Sequence, residues 1–212
     1  MTKPQLSRRA HHFRQNMSPV KQIMMYADPA TFRELGLNPA DVVSFAGGWV
    51  NHQAPEGLQR AYLSIVQDAV QLHKSGGYSP TLGMPECKAA LAAYEHYMYG
   101  IQLHNEHIAI GQSSTQMTYD LMSVLMNPGD KILLLDPSYC NFPTQITTAL
   151  DVDVLRFPVV DVASWRYIAD EKIEEFVTFV AKEKPKVILL VSPDNRYCNA
   201  TPGFLCGARR IG

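Results

Sequence analysis

The sequence predicts an α/β fold: a mostly parallel sheet with flanking helices. Three observations carry that expectation. Short apolar runs alternate with stretches whose apolar residues recur at helical spacing, the element order that winds helices onto a parallel sheet. The run Lys131 to Leu135 is continuously apolar, as in the interior of such a sheet. Turn-forming clusters such as Asn127-Pro128-Gly129-Asp130 separate the elements.

Taken in order, Val42 to Ala46 reads as a short extended run closed by Gly47-Gly48. Leu58, Tyr62, Ile65, Ala69 and Leu72 fall on one helical stripe, and Gly76-Gly77 ends it. Cys87, Ala90, Leu91, Tyr94 and Met98 form a second stripe, opened by Pro85, a residue suited to a helix's first turn. Ile108 to Ile110 predicts a strand, Gly111 to Thr115 a small polar turn, and Met117, Leu121, Val124 and Leu125 one face of a third helix. Lys131 to Leu135 and Val152 to Phe157 are the next strands. Ile173, Phe176, Val177 and Val180 mark a helix that Pro185 stops, and Val187 to Val191 is the last strand. Residues 196–212 show neither period and are expected to be irregular.

Composition narrows the function. Of 212 residues, 46% are apolar and 18% charged, the balance of a globular domain with a sizeable core. A net charge of −1 argues against nucleic acid or a membrane surface as the main partner. No apolar run approaches the roughly 18 residues that a membrane span needs. Cys87, Cys140, Cys198 and Cys206 form no C-x-x-C pair, so neither a metal site nor a disulfide framework is indicated, and reduced thiols in a cytoplasmic protein are expected. Lys3, Arg8, Arg9, Arg14 and Lys21 precede the first acid, Asp28. That segment reads either as an organellar transit peptide or as a basic arm lying over a partner subunit. The apolar stretch Ile23 to Tyr26 favours an arm that packs.

In open parallel sheets, ligands bind beyond the carboxyl ends of strands. Three strand ends carry candidates. Gly111 to Gln116 offers hydroxyls and backbone N–H groups at a helix start, an arrangement that binds anions such as phosphate or simply caps the helix. Asp136-Pro137-Ser138-Tyr139 ends in an aromatic ring that either joins a core or stacks on a flat ligand. Ser192-Pro193-Asp194-Asn195 ends in an amide that either shapes a turn or bonds a ligand oxygen. Nucleotide loops of the G-x-x-x-x-G-K-[ST] or G-x-G-x-x-G kind are absent.

Together these motifs resemble the fold-type-I aminotransferases of classes I and II, from about Ser44 to Asn195. Ser44-Phe45-Ala46-Gly47-Gly48 is similar to the family's substrate-side glycine loop. Tyr78 to Glu86 is similar to its Y-x-x-x-x-G-x-P-E signature. Asn127 to Asp130, a strand and Asp136 to Tyr139 resemble its PGD…P-x-Y block, and Ser192 to Asn195 the opening of its N-P-x-N-P-T-G motif. Ser7-Arg8-Arg9 with the F-A-G-G run is similar to the aminoadipate and kynurenine aminotransferase branch.

The resemblance implies a pyridoxal 5'-phosphate cofactor, a homodimer, and an amino acid and a 2-oxo acid as substrates. It implies that Ser113, Ser114 and Thr115 hold the cofactor phosphate. Tyr139 would stack on the pyridine ring and Asn195 bond its O3′. Tyr78 would reach the phosphate of the neighbouring subunit, and Gly48 would let a substrate carboxylate approach the backbone. It also divides the chain: residues 1–43 as arm and part of a small domain, 44–195 as a partial cofactor-binding large domain, and 196–212 as an aberrant tail.

After Asn195 the family pattern Pro-Thr-Gly gives way to Arg196, Tyr197 and Cys198. No match is found beyond it for the family's ring-nitrogen aspartate, its Schiff-base lysine or its two arginines. The expectation is therefore a truncated, inactive piece of an aminotransferase. Two alternatives stand beside it: a piece of a lyase or synthase of the same fold, and a non-catalytic partner of complete subunits.

Overall fold

The computed structural model describes residues 5–15, 17–26, 28–43 and 52–192. The chain divides into two compact units, residues 48–118 and residues 1–47 with 119–212.

The larger unit opens with α1 (Arg8–Gln15), α2 (Pro19–Met25) and α3 (Pro29–Glu34). Proline starts α2 and α3, where its missing N–H costs nothing, and Asp28 caps α3 by accepting from the Ala30 amide at 2.9 Å. The unit's sheet contains β1 (Lys131–Asp136), β2 (Asp153–Pro158) and β5 (Val187–Leu189), all parallel, in the order β2-β1-β5. Strand β1 is central, and Ile132 to Leu135 are all buried, as an apolar run covered on both faces requires. Between β1 and β2 runs α8 (Asn141–Leu150); before β5 runs α9 (Ile173–Glu183). A two-residue hairpin pairs β3 (Val160–Asp161) with β4 (Arg166–Tyr167).

Side-chain alternation along β1 assigns one helix layer to each face. Ile132 packs with Val154, Val187, Leu189, Ile146 of α8 and two methionines, Met122 and Met126. Leu133 and Leu135 pack with Phe157, Ile188 and, from α9, Phe176 and Val180. The Phe157 and Phe176 rings meet edge-on at 5.2 Å, a favourable aromatic geometry. At the amino end of β1, Asp130 accepts from Lys186 Nζ at 2.6 Å and from the Asn127 amide at 2.7 Å. The Asn127 hydrogen bond and then Lys186 hold the Asp130 carboxyl below its ordinary pKa.

The smaller unit contains α4 (Glu56–Gln67), α5 (Ala69–Ser75), α6 (Pro85–Tyr99) and the start of α7 (Ser114–Leu125). Among its described residues none is buried, and Leu58, Tyr62, Val66, Val70 and Tyr97 are exposed.

Two local expectations differ from what is observed, and two features lie beyond them. The stripe from Leu58 to Leu72 is broken into α4 and α5 at Asp68, whose carboxylate accepts from the Val70 and Gln71 amides at 2.9 and 3.1 Å; capping wins over continuation. Ile108 to Ile110 is not a strand. Ile108 is extended, but the segment makes one bond to a neighbour, Ile110 N–H to Leu82 O at 3.2 Å, and no ladder among the described residues. In α7 the buried side chain is Met122, while Val124 is 83% exposed. Helix α8 was not foreseen from sequence, although Phe142, Ile146 and Leu150 recur every four residues and Pro143 sits in the first turn, where it is tolerated.

Lys184 ends α9 in the left-handed conformation, φ 51° and ψ 55°, with its N–H bonded to Val180 O at 2.8 Å. Glycine takes that place without steric cost. Lys184→Gly is expected to stabilise the fold by about 1 kcal/mol. Thermal unfolding should shift up by about 2–4 °C; a lowered midpoint would show that the lysine side chain contributes more than its backbone costs.

Candidate functional site

The carboxyl end of β1 opens on a cavity of about 320 Å³. The last strand residues Leu134, Leu135 and Asp136 form its floor, and the following turn Pro137 to Cys140 forms one wall. The position is the one that parallel sheets reserve for ligands, because strand ends converge there while their connections diverge. Here β1 leads through α8 to β2 on one side, whereas β5 flanks it on the other.

Tyr139 is half-buried in that wall. Its ring meets Phe142 edge-on at 5.1 Å, and its carbonyl accepts the Phe142 N–H at 3.1 Å. The aromatic plane is thus set by the first turn of α8. Pro143 closes the same wall. Arg156, near the end of β2, contributes a cation 3.6 Å from Asp136 Oδ1. Half-exposed, that pair is worth little as a stabiliser, but it brings a guanidinium to the rim. Pro19 of α2 also lines the cavity, and Ser18 before it donates to Asn141 Oδ1 at 2.7 Å.

The other expected anion group lies in the smaller unit. Ser113, Ser114 and Thr115 are exposed at the start of α7. Ser113 Oγ accepts the Gln116 N–H at 3.3 Å, so one of the three hydroxyls does cap the helix. Helices leave their first-turn N–H groups outside their own ladder, which suits an anion. At Gly111 a β-carbon would press on the Met117 side chain, Sδ first and Cγ at 2.8 Å, so a larger residue there requires Met117 to move.

Tyr78 is fully exposed and lines a groove of about 570 Å³ with Ile65, Lys74, Ser79 and Glu86. The glycine five residues on, Gly83, has φ +99°, and a β-carbon there would lie 2.7 Å from Ile110 Cδ1. That explains the glycine in the Y-x-x-x-x-G-x-P-E signature: the loop passes against the Ile110 side chain in a conformation other residues avoid.

Gly48 and Asn195 lie outside the described residues, as do the extended run from Ser44 and the segment 196–212. Sequence reasoning did not single out Arg156, Cys140 or the Ser18–Asn141 pair. Arg156 becomes a rim residue only through the register that pairs Leu134 with it, and Ser18 meets Asn141 only through a contact spanning 123 positions. Among the described residues no group of three or more His, Cys, Asp and Glu could hold a metal ion, and no helix is long and apolar enough to cross a membrane.

Comparison with known proteins gives the family and the fold. The family model for class I and II aminotransferases matches residues 45–197. The chain is 28% identical over 156 residues to an aspartate aminotransferase of Streptomyces avermitilis, covering 73% of this chain and 35% of that protein. It is 25% identical over 191 residues to the aspartate/prephenate aminotransferase of Thermus thermophilus, covering 90% and 45%. Among solved structures, the aspartate aminotransferase from Thermus thermophilus with maleate superposes with a TM-score of 0.77 at 20% identity, covering 99% of this chain and 50% of that one. That likeness shows a shared fold. The chain therefore spans half or less of the length of these relatives.

Proposed function

Because the chain belongs to the class I and II aminotransferases, we propose that it supplies part of a pyridoxal 5'-phosphate site in a protein that exchanges an amino group between an amino acid and a 2-oxo acid. The observation that carries this reading is Tyr139, presented in a cavity at the carboxyl end of the central parallel strand. A flat cofactor suits the aromatic wall held by α8.

When bound, the cofactor acts as an electron sink for the substrate's Cα–H bond. This chain's residues bind and orient. Tyr139 lies against the ring, where stacking contributes about 1 kcal/mol. By the family resemblance, Ser113, Ser114 and Thr115 would hold a phosphate with hydroxyls and first-turn amides. By the same resemblance, Asn195 would bond the ring oxygen and Gly48 would admit the substrate carboxylate; both lie outside the described residues. Tyr78 reaches the phosphate held by a second copy in a twofold dimer, for which its full exposure leaves it available.

Cys140 provides a direct test, because it lines the cavity while Cys87 is exposed elsewhere. Pyridoxal phosphate should slow alkylation of Cys140 by iodoacetamide and leave Cys87 unchanged, as read by peptide mapping. Tyr139→Ala should weaken cofactor binding about fivefold, and Tyr139→Phe should not. Equal alkylation of Cys140 with and without saturating cofactor would refute the placement.

A further inference from the structure

Ser18 occupies the N-cap position of α2, where a serine hydroxyl ordinarily accepts an amide of its own helix. It makes no such bond. Instead its Oγ donates to Asn141 Oδ1 at 2.7 Å, across 123 positions of sequence. The residue is 6% exposed, and a hydroxyl buried so deeply requires a partner. Asn141 is the first residue of α8. It stands between Cys140, which lines the cavity, and Phe142, whose ring and N–H both meet Tyr139. The residue after Ser18, Pro19, faces the same cavity as Ser138, Tyr139 and Pro143. Helix α1 lies against α8 as well.

We propose that Ser18 is a positioning residue: its hydrogen bond to Asn141 fastens the N-terminal helices as a fixed wall of the cavity and so sets the place of the Tyr139 turn. The bond forgoes the local cap of α2 for a distant one, and the element it reaches carries the aromatic wall. The inference deepens the reading of this cavity as the cofactor pocket, and that reading gives the clamp its purpose. The clamp itself is a contact that can be measured without any cofactor.

The test is the alkylation rate of Cys140 in the cofactor-free protein, with Cys87 as internal reference. Ser18→Ala should raise the Cys140 rate about fivefold, the effect of losing one ordinary hydrogen bond that held the wall closed. Asn141→Ala should do the same, and the double variant should be no faster than either single one, because both remove one bond. Asn141→Asp keeps an oxygen that accepts the Ser18 hydroxyl and should react at close to the parental rate. In the same variants, affinity for pyridoxal phosphate should fall for Ser18→Ala and Asn141→Ala and be kept by Asn141→Asp. A parental Cys140 rate in Ser18→Ala, additive effects in the double variant, or an Asn141→Asp chain as fast as Asn141→Ala each overturns the proposal. If Ser18→Ala does not fold, the two Asn141 variants still decide. Failure of the cofactor to protect Cys140 in the parental chain would remove the cofactor reading and leave the clamp standing, so the two can fail separately.

Discussion

A polypeptide of these 212 residues, incubated with pyridoxal phosphate and reduced with borohydride, is expected to carry no cofactor fixed at one particular lysine. Among the described residues the cavity lining contains no lysine. Lys131 and Lys186 are held at the amino end of β1 by Glu183 at 3.1 Å and Asp130 at 2.6 Å. A strand of this length places them roughly 15–20 Å from its carboxyl end. Lys172 sits over the Phe157 ring at 5.7 Å, and Lys182 is exposed at the end of α9. A group that moves the substrate's Cα proton must come within hydrogen-bond reach of it, roughly 3 Å. Loss of such a group lowers the rate by about 10²–10⁴-fold. Amino-group transfer by this polypeptide should therefore stay near the rate of the free cofactor, with borohydride labelling scattered over exposed lysines. One stoichiometrically labelled lysine would show that the site has been misassigned.

Phe176→Ala is expected to cost about 3–5 kcal/mol, since the ring is fully buried and its removal leaves a cavity under β1. Its partner Phe157 meets Phe176 at 5.2 Å and Phe179 at 5.6 Å, and Lys172 lies above the Phe157 ring. Domains are commonly stable by only about 5–15 kcal/mol, so this loss takes a large share. At about 2–4 °C per kcal/mol for a chain of this size, the unfolding midpoint should fall by about 10 °C. A fall of less than about 2 °C would show that the neighbouring rings collapse into the space.

How legible each part was depended on whether its cause is local. The helices over Ile173 and Pro85 and the strands at Lys131, Val152 and Val187 were legible, because period and punctuation reside in a few consecutive residues. Ile108 to Ile110 was misread because a β-rich run becomes a strand only when another strand lies beside it. The helix of α7 was legible but its covered side was not, because Leu121 and Val124 satisfy the helical period as well as Met122 does; only the placement of β1 decides which side is covered. Helix α8 was passed over because its first turn, Asn141-Phe142-Pro143, reads as a turn by composition. Tyr139 was legible as a candidate from its motif, and it lines the cavity at the carboxyl end of β1. Arg156 and the Ser18–Asn141 contact were not, because Arg156 reaches the cavity only through strand register and Ser18 meets Asn141 only through a contact at long range.

The register of the sheet implies an order of assembly. Lys131 pairs with Asp153, whereas Ile132 waits for Val187, more than twice as far along the chain. Loop-closure entropy grows with the logarithm of that distance, so the longer closure costs roughly 1 kcal/mol more before any contact returns it. Strand β1, helix α8 and strand β2 are therefore expected to come together first, and α9 with β5 to close afterwards on the opposite edge. During synthesis the same sequence of events is imposed by the ribosome, which releases residues 131–158 before β5 exists. The wall that carries Tyr139 belongs to the early piece, so the proposed binding surface begins to take shape while the far side of its sheet is still unmade.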